Sequence, residues 1–257
     1  MLVFDDVWYA HRDGDRIVPV LEGVSFHVGK GEFVSLVGPS GAGKSTIFQL
    51  IAGLREPDRG RIVVDGRADG RLGRVGYMPQ QDLLLPWRTV LDNAVLPQEI
   101  RGVPRKAARE RARRLLAEFG LTGFERAYPH QLSGGMRQRV AFLRTVMTDA
   151  ELFLLDEPFG ALDAFTRAAM QEWLLDAHGR LGKTVLLVTH DIEEAVLLSD
   201  RIYVLPGRPA RRLHEVAVPL ERPRRYGLVT TPAFQRIRRD VLALLAGQQG
   251  AAGGEGR

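Results

Sequence analysis

The octapeptide Gly38-Pro39-Ser40-Gly41-Ala42-Gly43-Lys44-Ser45 constrains this chain more than any other stretch, because it fits the pattern G-x-x-x-x-G-K-[ST] in full. It follows the apolar run Phe33-Val34-Ser35-Leu36-Val37, which reads as a buried strand. It precedes Ile47, Leu50, Ile51 and Leu54, which recur at helical spacing. A strand, a glycine loop and a helix in that order form a phosphate-binding unit. The glycines let backbone N–H groups curl around phosphate oxygens, and the helix beginning near Lys44 aims its positive end at the same anion. Lys44 is expected to reach the β- and γ-phosphates of a nucleotide, and Ser45 to ligate Mg²⁺.

The rest of the pattern extends this unit into an α/β fold. Residues 1–28 read as short strands and turns, with Asp13-Gly14-Asp15 as a turn cluster. Glu56-Pro57-Asp58-Arg59-Gly60 ends the helix after the loop, and a further strand runs over residues 61–65. The character changes between residues 89 and 150, where strand signals are few and residues 104–119 form a charged helix closed by Gly120. Strands return at 152–155, 184–189 and 202–205, with a helix over 163–181 between the first two. Strands alternating with helices predict a mainly parallel sheet. The 257 residues, 45% hydrophobic, suffice for one large domain with a subdomain. The expected division is a core over 1–85 and 151–230 and a helical subdomain over about 86–150, within a single domain of 1–245. Residues 246–257, rich in glycine, are expected to be a disordered tail.

The absence of cysteine excludes disulfides, zinc-thiolate sites and a cysteine nucleophile. No apolar window approaches the length needed to span a bilayer, and the N-terminus lacks a signal-peptide pattern. Any membrane association therefore runs through a partner or the surface. The net charge of +5 comes with no nucleic-acid-binding signature, so no nucleic-acid partner is expected. The basic stretch Arg208, Arg211, Arg212, Arg222, Arg224 and Arg225 reads as a solvated surface, with a face towards the membrane subunit or lipid head groups as the alternative.

Two further motifs carry chemistry. Leu152-Phe153-Leu154-Leu155 makes a buried strand whose end presents Asp156 towards a metal, and Glu157 follows into the space beyond a γ-phosphate. A carboxylate there can polarise an attacking water. Leu132-Ser133-Gly134-Gly135-Met136 precedes an apolar-periodic helix carrying Val140, Leu143 and Val146, which makes a second helix N-terminus able to bind phosphate.

Together these residues resemble the ATP-binding subunit of ABC transporters, over about 230 residues. The glycine loop is similar to the Walker A motif, Leu154-Leu155-Asp156-Glu157 to Walker B with its catalytic glutamate, and Leu132-Ser133-Gly134-Gly135-Met136 to the ABC signature, with Met136 in place of the commoner Gln. Gln80 matches the Q-loop, Ala161-Leu162-Asp163 the D-loop, and His190 the switch histidine. The resemblance implies a P-loop NTPase core with an N-terminal antiparallel β subdomain and an inserted α-helical subdomain. It implies MgATP bound by the loop residues, with Thr46 beside them, and by Ser133, Gly134 and Gly135 of a second copy closing head to tail. It implies Gln80 sensing Mg²⁺ and water, Asp156 at the metal, Glu157 as general base and His190 at the γ-phosphate. The adenine-stacking position falls on His11, with Tyr9 as the alternative.

The run Gln80-Gln81-Asp82-Leu83-Leu84-Leu85-Pro86-Trp87 looks like the importer cleft that receives a helix of a membrane permease. Asp156-Glu157-Pro158-Phe159-Gly160-Ala161-Leu162-Asp163-Ala164 and Thr189-His190-Asp191-Ile192-Glu193-Glu194-Ala195 resemble the nitrate/sulfonate/taurine group, whose relatives include transporters of pyrimidine vitamin precursors. Ala141-Phe142-Leu143-Arg144-Thr145 departs from that group's common form. The expectation is an importer ATPase at the cytoplasmic face of the membrane, bound to permease subunits and served indirectly by an external solute-binding protein. The alternative is a soluble ABC-type ATPase not coupled to transport.

Overall fold

The computed structural model describes residues 1–14, 16–160 and 162–246. Strands β1 (Leu2–Asp13), β2 (Arg16–Val28) and β4 (Arg59–Val64) form an antiparallel sheet in the order β2-β1-β4. These N-terminal strands are much longer than the short ones expected. Leu2, Phe4, Val7 and Tyr9 all face inward along β1. Phe4 and Val7 share a face only because the register slips between them, where Asp6 takes a φ of 47°. An extra residue at such a bulge resets the alternation, which hides the strand from period-two counting.

The second sheet runs β5 (Val75–Met78), β6 (Leu152–Asp156), β7 (Thr184–Thr189), β3 (Phe33–Val37), β8 (Arg201–Val204) and β9 (His214–Ala217), in that order. All neighbours are parallel except β9, which pairs antiparallel with β8. The central strands are apolar on both faces, as a sheet covered on both sides requires. Their alternation feeds two separate cores. Phe33, Val37, Phe153, Leu155, Val185 and Leu187 enter one. Val34, Leu36, Leu152, Leu154, Leu186 and Val188 enter the other, together with Ile47 and Phe48 of α1 (Lys44–Ile51) and the antiparallel sheet. The α/β architecture with a mainly parallel sheet and an N-terminal antiparallel sheet is the one expected from the sequence.

Helices α2 (Val90–Ile100), α3 (Arg105–Glu118) and α4 (Gly134–Val146) pack on one another between β5 and β6 in the chain. The first core also takes side chains from α5 (Ala164–Leu181), α6 (Ile192–Leu198) and α7 (Pro232–Ala246). Three details differ from the sequence reading. Helix α1 stops at Ile51 and Leu54 is exposed, because Gly53 turns the chain at a φ of 73°. Strands β5 and β9, four residues each, escape a reading that needs longer runs. Helix α7 was not anticipated, although Phe234, Ile237 and Val241 bury one helical face. The expected tail lies, from residue 247 onward, outside the described residues.

Candidate functional site

Strands β6, β7 and β3 lie side by side, and their carboxyl ends deliver Asp156 and Glu157, His190, and the glycine loop to one rim. Ligands of open α/β sheets bind at such a rim. A cavity of about 330 Å³ opens there, walled by Ser40, Gly41, Gly43, Lys44, Ser45 and Thr46. Gln80, Glu157, His11, Val20 and Arg208 complete the lining. Gly38 and Pro39 contribute their carbonyls, which accept from Lys44 Nζ at 2.7 and 2.9 Å. Ala42 is buried beneath the loop, its N–H donating to the Pro39 carbonyl at 3.2 Å.

Gly43 caps α1 at a φ of 98°, and a Cβ on it would meet Val20 Cγ1 at 2.8 Å. Glycine is therefore demanded twice, by the left-handed conformation and by the close approach. No side chain caps this helix. Its first-turn N–H groups face the cavity free to meet an anion. Burial lowers the proton affinity of the Lys44 ammonium, while the carboxylates of Glu157 and Asp156 pull it back up.

Asp156 is buried at the end of β6. Burial raises its pKa above the ordinary value; the Ser45 hydroxyl opposes this, the Glu157 charge reinforces it, and Tyr77 and Lys44 oppose it. A buried carboxylate with a hydroxyl beside it and, among the described residues, no guanidinium or ammonium ion-paired to it suits a hard divalent cation held through oxygen.

Glu157 stands at a φ of 44°, unusual for a residue with a side chain. Its N–H donates to the Val188 carbonyl at 2.9 Å, and its own carbonyl accepts from Gly160 N–H at 3.2 Å. Its side chain lines the cavity. There Gln80 Nε2 donates to Glu157 Oε2 at 3.1 Å, and His190 Nδ1 lies 3.2 Å from the same oxygen. Two residues far apart in sequence thus converge on one carboxylate oxygen beside the glycine loop.

Ser133, Gly134 and Gly135 are not brought to this cavity. Ser133 caps α4, accepting from Met136 N–H at 3.3 Å. Gly134 lines a second cavity with Leu83, Arg137, Gly160 and Leu162, and Gln80 borders both. Of the two adenine candidates, His11 lines the first cavity. Tyr9 turns inward, its hydroxyl accepting from Arg55 Nη1 at 2.6 Å and its ring meeting the His11 ring edge-on at 5.3 Å. The arginine stretch is not a uniform solvated surface. Arg224 is buried and donates to the carbonyls of Ser199 and Leu220 at 2.7 and 2.8 Å, while Arg222 and Arg225 pair with Asp200 and Asp176. Ala161 of the D-loop lies outside the described residues.

Two residues in and near the site are not singled out as functional in the sequence, where Arg208 reads only as part of a basic stretch. Arg208 sits in a turn with no local pattern to mark it. Glu194 lies under the loop that carries His190. Its Oε2 accepts from the Thr189 hydroxyl at 3.0 Å, and its own N–H donates to Asp191 Oδ1 at 3.1 Å. Burial pushes its carboxyl up to about 8, with Asp191 adding to the shift and Thr189 and Arg167 opposing it.

Such a fold and such a rim define a phosphate-loop nucleotide hydrolase. Comparison with family models matches the ABC transporter family over residues 21–160. The formylaminopyrimidine import ATP-binding protein ThiZ of Halalkalibacterium halodurans is 45% identical over 95% of this chain and 96% of its own length. The aliphatic sulfonates import ATP-binding protein SsuB 1 of Rhodococcus jostii is 46% identical over 87% of this chain and 86% of its own. The solved dimeric post-hydrolysis state of the ATP-binding cassette MJ0796, bound to ADP and Pi, has a TM-score of 0.75 at 31% identity, covering 86% of this chain and 100% of that one. The chain belongs to the ABC transporter family, as an ATP-binding, ATP-hydrolysing member.

Proposed function

We propose that this chain is the ATPase of an importer, hydrolysing MgATP between two copies to drive a small solute through a separate permease. The observation that carries the reading is the convergence of Gln80 and His190 on Glu157 Oε2 beside the glycine loop. In it, backbone N–H groups from Gly41 to Thr46 hold the phosphates, with Ser40 at the loop's edge and Lys44 on the β- and γ-oxygens. Ser45, Asp156 and Gln80 would hold Mg²⁺, which supplies charge neutralisation along the phosphates. Glu157 accepts a proton from water as the water oxygen attacks the γ-phosphorus; the bond to the ADP oxygen breaks and orthophosphate leaves. Gln80 and His190 orient that carboxylate and the water. His11 packs on the adenine.

Ser133, Gly134 and Gly135 lie away from the first cavity, which supports their serving the nucleotide of a second copy. The relatives named as import proteins and the dimeric form of the solved cassette favour the same assembly. Trp87 is 72% exposed and Leu83 also faces solvent, an apolar patch suited to a permease helix. Among the described residues no helix is long and apolar enough to cross a membrane. We therefore assign the chain to the cytoplasmic face of the membrane through its permease, with a solute-binding protein acting indirectly. The cargo falls in the range of the relatives: nitrate, sulfonates, taurine or a pyrimidine precursor. The assigned division is a core over 1–85 and 151–230 with helices over 86–150.

The decisive experiment is Glu157→Gln. ATP affinity should stay within about twofold while turnover falls by about a hundredfold or more, the range of a lost general base. Near-normal hydrolysis in that variant sinks the assignment.

A further inference from the structure

The cavity has lining residues that the motifs do not supply. The loop, Gln80 and Glu157 line it, and so do His11, Val20 and Arg208, which come from β1, β2 and the turn after β8. Arg208 reaches the cavity because its turn is tied to β2. The Ala210 N–H donates to the Val20 carbonyl and the Glu22 N–H to the Ala210 carbonyl, both at 2.8 Å, and Ala210 is buried. Val20 in turn backs Gly43 of the phosphate loop. The turn after β8 is therefore anchored one residue layer from the loop, and position 208 projects at the mouth.

What arrives there is an uncommitted guanidinium. Arg208 is exposed, and its one hydrogen bond among the described residues runs to the Pro19 carbonyl at a long 3.5 Å. No carboxylate is ion-paired to it among the described residues, whereas Arg211, Arg222 and Arg225 of the same stretch all have acidic partners. Its charge is felt at the His11 ring: burial first, then Arg55 and Arg208, lower the proton affinity of that imidazole. The flanking groups are thus a ring disfavoured from charging and a planar cation. A planar cation stacks on an electron-rich ring face.

We propose that Arg208 binds the nucleoside end of the nucleotide, its guanidinium stacked on the adenine ring. This rests on the first cavity being the ATP site. Stacking through a plane, and not attraction of a phosphate by a charge, is the stated mode.

The test is equilibrium binding of ATP, adenosine and inorganic tripolyphosphate to the full chain and three variants. Arg208→Ala should weaken ATP and adenosine by about tenfold, the size of one stacked cation, and leave tripolyphosphate unchanged. Arg208→Lys keeps the charge without the plane and should behave as the alanine variant for ATP and adenosine. Wild-type affinity in Arg208→Lys, or an equal loss for tripolyphosphate, overturns the proposal in favour of a charge acting on phosphate. An unchanged ATP affinity in Arg208→Ala also overturns it. Lys44→Ala separates this failure from that of the site itself: if that variant still binds ATP normally, the cavity is not the nucleotide site.

Discussion

Glu157 Oε2 takes contacts from two directions, Gln80 at 3.1 Å and His190 at 3.2 Å, while the backbone beneath it stays in a left-handed conformation. Such strain costs of the order of 1–3 kcal/mol and persists only where the surroundings over-determine it. Here the Val188 and Gly160 hydrogen bonds do so. Glu194 is the other costly residue. Its carboxyl is held up to about 8 against an ordinary 4.5, so between those values the folded chain binds the proton more tightly than the unfolded chain does. Stability contributed by that proton is present at low pH, falls as pH rises through the window, and is lost above about 8. Glu194→Gln should therefore match the parent in Tm near pH 5 and exceed it near pH 8, by roughly a few degrees for a chain of this size. A difference in Tm that stays constant across the range, read by thermal scans in matched buffers, refutes the assignment.

Helix termini carry much of the proposed chemistry, and they differ in how they are closed. The N-terminus of α1 is left open by Gly43, whereas that of α4 is capped by the Ser133 hydroxyl. Ser133→Ala should cost about 1 kcal/mol in urea unfolding, and Ser133→Gly only a few tenths. If the hydroxyl also serves the second copy's nucleotide, both variants should lose hydrolysis alike despite their different stabilities. Activity that tracks stability instead assigns Ser133 to capping alone. These termini were legible in the sequence because glycine and serine before an apolar period announce a helix start. Strand β1 was legible only in part, since its bulge at Asp6 breaks the alternation. Arg208 was illegible, because its position depends on Ala210 pairing with β2 across almost the whole chain. No local pattern records such a bridge. Arg224 misled for the reverse reason: an arginine in a basic run reads as solvated, yet this one is buried, donating to backbone carbonyls and lying 3.7 Å from Asp200 Oδ1.

At the scale of the molecule, one copy holds two cavities that share Gln80, the loop cavity and one lined by Gly134, and the paired mechanism proposed above needs the second to meet another copy's nucleotide. ATP should therefore draw copies together. Glu157→Gln with MgATP should elute as a dimer in size-exclusion chromatography, and as a monomer with ADP. The specific activity of the parent should rise with protein concentration. Activity independent of concentration in a monomeric sample counts against the paired mechanism. The family itself was legible from the order of motifs, since glycine loop, Gln80, Ser133-Gly134-Gly135, Asp156-Glu157 and His190 recur in one sequence. The cargo was not, because the motifs read in the sequence concern ATP.

The side-by-side arrangement of β6, β7 and β3 has a consequence for how such chains diversify. Their ladders hold the reactive rim together laterally, although the chain leaves the sheet after β5 and returns only at β6. Lengthening or trimming that excursion disturbs no ladder between the three strands, and the entropy of closing a longer loop grows slowly. A lineage can therefore retailor the helices of that excursion in length as well as surface, provided Gln80 and Ser133 to Gly135, which it also carries, keep their places.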